Sequence, residues 1–169
     1  MMIIDDFTAA DGRSRLGTRW QAFDDRVMGG VSVAATAPAV LDARRCLRLS
    51  GDVRLDNNGG FIQMALDLAP AGETLDASGF RAIALIVRGN DQRYGCHLRT
   101  TATTRPWQSY RAGFDTAAAW REVVLPFAAF APHRLEAPLQ MAHLRRLGLV
   151  AIGRAFAADL AVARVALIA

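Results

Sequence analysis

The stretch GFIQMALDL, residues 60–68, decides how the chain is read. Its even positions Ile62, Met64, Leu66 and Leu68 are apolar, while Gln63 and Asp67 share the opposite side. A period of two belongs to a half-buried strand, because successive side chains of an extended chain point to opposite faces. The pattern returns. In RYGCHLRT (93–100), Tyr94, Cys96 and Leu98 oppose Arg93, His97 and Arg99. In WREVVLPF (120–127), Trp120, Glu122 and Val124 oppose Arg121, Val123 and Leu125, until Pro126, which cannot donate to a ladder, ends the run. FRAIALIVRG (80–89) is apolar on both faces from Ile83 to Val87, which suits a strand in the middle of a sheet.

MMII opens the chain as a first strand. RRLGLVAIG (145–153) and ADLAVARVALIA (158–169) close it as two more; the second is alanine-rich, but its branched residues Val162, Val165 and Ile168 favour strand over helix. Helix has room only in LPFAAFAP (125–132), as one turn between two prolines, and in APLQMAHLRRLG (137–148), as a short segment from about Leu139. Turn residues such as Asp11-Gly12, Gly29-Gly30, Asn57 to Gly60 and Ser78-Gly79 punctuate these runs with no βαβ rhythm. The expectation is an all-β, antiparallel sandwich or barrel with one or two short helices, spanning 1–169 as one domain.

At 169 residues the chain can bury a core without staples. Cys46 and Cys96 lie far apart with no C-x-x-C spacing, so neither a disulfide framework nor a zinc knuckle is suggested; two buried thiols in a reducing, cytoplasmic compartment are expected. The first residues lack the basic and long apolar regions of a secretory signal, and no run of about 18 apolar residues predicts a transmembrane segment. All 20 basic residues are arginine, yet the formal net charge is only +4, too balanced for a dedicated nucleic-acid binder, and no nucleic acid is expected as a partner. The absence of lysine and the wealth of alanine fit a GC-rich bacterial genome.

Gly29-Gly30 follows FDDRVM and precedes Val31, Val33 and Ala34, which read as a strand. A phosphate loop needs several glycines leading into a helix, so the pair is read as a bend or a close backbone approach. Asn57-Asn58-Gly59 supplies the positive-φ residues of a tight hairpin turn. Ser32 lacks the closing glycine of a nucleophile elbow and reads as an ordinary strand residue. The acid pairs Asp5-Asp6 and Asp24-Asp25 point to opposite faces, so neither forms a dyad alone; solvated acids or turn caps are expected. His97, His133 and His143 have no ligand spacing, and no metal or cofactor is expected, although calcium held by remote loops leaves little local trace.

The densest constellation is residues 88–114, where Arg88, Arg93, Arg99, Arg105 and Arg111 interleave with Tyr94, Trp107 and Tyr110. Alternation puts Arg93, His97 and Arg99 on one face, which Trp107 and Arg111 join if the next strand pairs there. Such a face stacks on a base or a sugar, or clasps an acidic peptide; a solvated outer face with arginine stems over apolar surface is the plainer reading. The candidate binding residues are therefore Arg88, Arg93, Tyr94, His97, Arg99, Trp107, Tyr110 and Arg111, with Asp25, Asn57 and Asn58 from the glycine-pair motifs, and no residue is expected to be catalytic.

WQAFDDRVMGGVS (20–32), LDNNGGF (55–61), VRGNDQRY (87–94) and WREVVLPFAAFAP (120–132) together resemble the complex I intermediate-associated protein 30 family. The resemblance implies a galactose-binding-domain-like jelly roll and a non-enzymatic task, since mitochondrial members are assembly factors for respiratory complex I. The expected partner is then a protein, a respiratory-complex subunit or assembly intermediate, with a carbohydrate or other small ligand as the alternative.

Overall fold

A computed structural model describes all 169 residues. Twelve strands account for the regular structure: β1 (Met2–Asp5), β2 (Trp20–Asp24), β3 (Ala35–Leu41), β4 (Arg44–Val53), β5 (Phe61–Asp67), β6 (Ala82–Arg88), β7 (Arg93–Thr100), β8 (Ser109–Asp115), β9 (Arg121–Pro126), β10 (Ala131–His133), β11 (Leu144–Ile152) and β12 (Phe156–Ile168). The first sheet runs β3-β4-β12-β6-β9, with β1 also on β12; the second runs β10-β8-β7-β11-β5-β2. Every pairing is antiparallel. The two sheets face each other as a jelly-roll sandwich.

Period-two sidedness builds this directly. Ile62, Met64 and Leu66 of β5, Tyr94, Cys96 and Leu98 of β7, and Leu147 and Leu149 of β11 point inward and meet Leu49, Ile83, Leu85, Leu160, Val162 and Val165 of the first sheet in one apolar cluster. The alanine-rich end of the chain is the thirteen-residue strand β12, which pairs with β4 through its first half, β1 through its second and β6 along the other edge. The outer face of β6 is covered at Ile86 by a small second cluster with Cys46, Ala161 and Trp120.

The expected short helices are single 3-10 turns, Phe127–Ala129 and Met141–His143; two more turns lie at Asp25–Met28 and Asp56–Asn58. Two expectations fail. Val31, Val33 and Ala34 are irregular, because β3 begins only at Ala35 once the chain has left a buried acid described below. Asn57 and Asn58 do adopt positive φ, 57° and 59°, but the turn is no hairpin: it carries the chain from β4 of the first sheet to β5 of the second.

Candidate functional site: a basic cleft on the second sheet

The outer side of the second sheet bears a cleft of about 880 Å3. Its floor is set by register. Arg111 of β8 lies opposite His97 of β7, and His97 opposite Gly148 of β11. One row along, Arg99 lies opposite Arg146, which lies opposite Asp67 of β5. On the other side, Val150 lies opposite Gln63, which faces Phe23 of β2. Loops complete the walls with Val27, Met28, Trp107 and Arg134. Gly148 keeps the floor low: a Cβ there would come within 2.7 Å of the Gln63 Oε1, so any larger residue would have to displace the Gln63 side chain and rise into the cleft.

The cations are held differently. Arg146 donates through Nε to Asp67 Oδ1 at 2.8 Å, and its guanidinium lies 5.2 Å from the Phe23 ring centroid. Arg99 has no carboxylate; its Nη1 donates to the carbonyls of Arg105, Pro106 and Gln108 and its Nη2 to that of Thr103, so it staples the β7–β8 loop that carries Trp107. Arg111 donates through Nε only to Ser109 Oγ at 2.8 Å. Burial and the neighbouring Arg146 and Arg145 lower the pKa of Arg99, and burial with Arg134 lowers that of Arg111; both stay charged, but in a site that resists charge. Burial, then Arg111 and His133, push His97 down to about 3, and burial with Arg111 and Arg134 lowers His133. His97 is therefore a neutral group across the physiological range. No Asp or Glu lines the cleft.

Of the expected binding residues, the fold brings His97, Arg99, Trp107 and Arg111 together. Trp107 is 54% exposed on the wall. Arg93 shares their face but lies outside the cleft, exposed and ion-paired with Asp115 at 3.1 Å. Tyr94 and Tyr110 must be corrected, since their even positions turn them inward. The Tyr94 hydroxyl donates to Asn90 Oδ1 and accepts from the Asp159 N–H; the Tyr110 hydroxyl donates to the carbonyls of Ala137 and Pro138. Both rings are buried, so neither stacks on a ligand. Arg88 belongs to the other sheet, where it lies over Trp120 and pairs with Asp42 at 2.7 Å.

Asp25, Asn57 and Asn58 form a corner beside the cleft. Asp25 is fully buried, where a solvated acid or a turn cap was expected. Its Oδ1 accepts from the Ser32 N–H at 2.9 Å, and its Oδ2 from the Ser32 hydroxyl at 2.5 Å, the Gly60 N–H at 2.6 Å and the Phe61 N–H at 3.2 Å. Burial raises its pKa, but these donors outweigh burial and hold the carboxyl below its usual 3.8. Ser32 is thus no ordinary strand residue: it is buried, and its hydroxyl also accepts from the Arg54 N–H. A Cβ on Gly30 or Gly59 would collide with the Asp25 carboxylate, so one glycine of each pair gives way to the same side chain. Asp24 caps the 3-10 turn and bridges to Arg26, whose hydrogen bonds lower its pKa. The turn so braced projects Val27 and Met28, 75% and 55% exposed, at the cleft's edge. Asn57 donates to the Gly29 carbonyl at 3.3 Å; Asn58 is exposed.

Sequence reasoning overlooked Phe23, Gln63, His133, Arg134, Arg146 and Gly148 as site residues. An outward glycine in RRLGLVAIG, flanked on the same face by Arg146 and Val150, was the available signal. No three His, Cys, Asp or Glu side chains converge to hold a metal ion.

A family model described as complex I intermediate-associated protein 30 matches residues 6–161. The chain belongs to that family. The matched span takes in every element that builds the cleft of this complex I intermediate-associated protein 30 domain. No curated protein is similar enough to count as a match. Among solved structures, the chain is similar to the family 11 carbohydrate-binding module from Clostridium thermocellum in complex with a beta-1,3-1,4-mixed-linked tetrasaccharide, at 13% identity and TM-score 0.72, covering 99% of this chain and 94% of that one. The family 30 carbohydrate-binding module of a cellulosomal cellulase from the same organism is similar at 11% identity and TM-score 0.58, covering 82% and 91%. At such identities the likeness is one of fold.

Proposed function

We propose that the chain is a single, non-catalytic binding domain of the cytoplasm that uses the cleft of its second sheet to hold a protein partner, a subunit or intermediate of a respiratory complex, during assembly. Family membership motivates the partner. The cleft carries the reading: it combines an exposed indole and two exposed aliphatic side chains with four arginines, a composition that interfaces favour. His97, kept neutral far below its ordinary range, is unsuited to acid–base work near neutrality, which supports a holding role over a chemical one. Two free, buried thiols on different strands suit a reducing compartment. No helix is long and apolar enough to cross a membrane.

The test is affinity capture from the native host with the unaltered chain and with Gly148→Phe, which fills the cleft. Respiratory subunits should be recovered by the first and lost by the second, and deletion should lower assembled complex I. Recovery of no such subunit, with unchanged complex I, would refute the reading. A carbohydrate-binding role is the second reading, favoured by Trp107, a half-exposed ring on the wall of a cleft that Gln63 also lines. Glycan-array binding lost in Trp107→Ala would support it; silence across the array removes it.

A further inference from the structure

The cleft holds three arginines that lack a carboxylate partner. Arg146 alone is ion-paired, through Asp67. Arg99 is answered by four carbonyls, Arg134 makes no ion pair, and Arg111 gives one N–H to a serine hydroxyl, leaving the Nη pair of its guanidinium without a protein acceptor. The half-buried guanidinium of Arg111 has lost hydration and gained little in return, while Arg134 stands exposed beside it with its charge free for a ligand. The backbone fixes the arrangement. Arg111 is held in β8 between His97 of β7 and Ala131 of β10, and Arg134 follows β10 in a left-handed conformation, φ 61°, its carbonyl receiving the Gln108 amide at 3.1 Å.

Resting on the reading of this cleft as a partner site, we infer that its occupant is an extended segment of the partner that carries carboxylate side chains, Asp or Glu, gripped by Arg111 and Arg134, with an apolar neighbour seated against Val27 and Met28. Charge complementarity selects the first element: the lining is cationic and acid-free. The arginine fork matches a carboxylate bidentately. The Asp25-braced turn selects the second, since Val27 and Met28 stand exposed at the edge of the same cleft, and a free inorganic anion would leave them uncovered. A volume of about 880 Å3 takes several residues of extended chain.

The experiment uses the full chain and two fluorescein-labelled twelve-residue peptides, one alternating Glu and Leu, the other alternating Gln and Leu, read by fluorescence anisotropy at low and high salt. The acidic peptide should bind at least about tenfold more tightly than its amide counterpart, and the gap should shrink as salt rises. The double variant Arg111→Gln/Arg134→Gln should remove the preference, whereas Arg44→Gln, exposed on the first sheet, should leave it intact. Gly148→Phe should abolish binding of both peptides, with circular dichroism verifying its fold. Equal binding of the two peptides, lost in Gly148→Phe, would overturn the acidic occupant and leave the cleft as a site. Acidic binding indifferent to Gly148→Phe would overturn both. Failure of both peptides to bind, or full displacement by millimolar inorganic phosphate, would overturn the acidic segment as occupant.

Discussion

Removing the Asp25 carboxylate tests the most particular feature of the structure. Asp25→Ala strips the acceptor from three backbone N–H groups, those of Ser32, Gly60 and Phe61, and from the Ser32 hydroxyl. Hydrogen bonds to a charged group contribute about 1.5–3 kcal/mol each, but four that share one carboxylate do not add, and water entering the vacated space answers some of the donors. The expected loss is therefore about 3–5 kcal/mol, the range for breaking a buried charged cluster from one side. Asp25→Asn keeps the volume but turns an NH2 towards N–H donors, and should cost about 2–3 kcal/mol. Urea unfolding measures both, as a lowered midpoint at constant slope. The carboxyl's folded pKa lies below its ordinary 3.8, so the stability it confers is complete above about pH 4 and is lost as pH falls through the folded value. The wild-type advantage over Asp25→Asn should shrink in that acid window and stay constant from pH 5 to 8. A cost below about 1 kcal/mol for both variants, or an advantage that grows on acidification, would refute the account of Asp25 as the ionised tie between residues 32 and 60.

Gly59→Ala should destabilise by about 2–3 kcal/mol and Gly30→Ala by a similar amount, because each new methyl meets the fixed carboxylate; combined with Asp25→Ala, each cost should fall sharply in a double-mutant cycle of unfolding free energies. Arg99→Lys cannot reach four carbonyls at once and should speed proteolysis of the 101–108 loop several-fold while lowering the unfolding free energy by less than about 1.5 kcal/mol, as limited thermolysin digestion and urea titration would read. Cys96, whose thiol burial pushes far up, should resist an aromatic disulfide reagent in the native protein at pH 8 and react only as fast as the chain unfolds; prompt labelling would contradict its place in the core.

The family 11 module and this chain share a sandwich at 13% identity, a reminder that the inner faces carry the fold and the outer faces carry the task. Alternation alone separated these sets. It opposed Tyr94, Cys96 and Leu98 to His97 and Arg99, and the structure keeps that division, with the first set in the core and the second outside. Naming Tyr94 and Tyr110 as binding residues set residue type above parity, and parity prevailed.

What the sequence determined by itself was sidedness: which residues of each strand face the core, where prolines and glycines break the runs, and that two layers result. These are local properties, because a side chain's face follows from its place in an extended chain. Tertiary structure decided adjacency. Arg99 and Arg146 lie opposite each other because β7 and β11 pair across residues 101–143, and Asp25 finds Gly60 thirty-five positions away. Register between distant strands is fixed by the joint packing of both sheets, so no short stretch encodes it, and a cleft assembled from six strands shows in the sequence only as the outward His97 and Arg99, Arg111 and Trp107 of one segment, without the residues that face them.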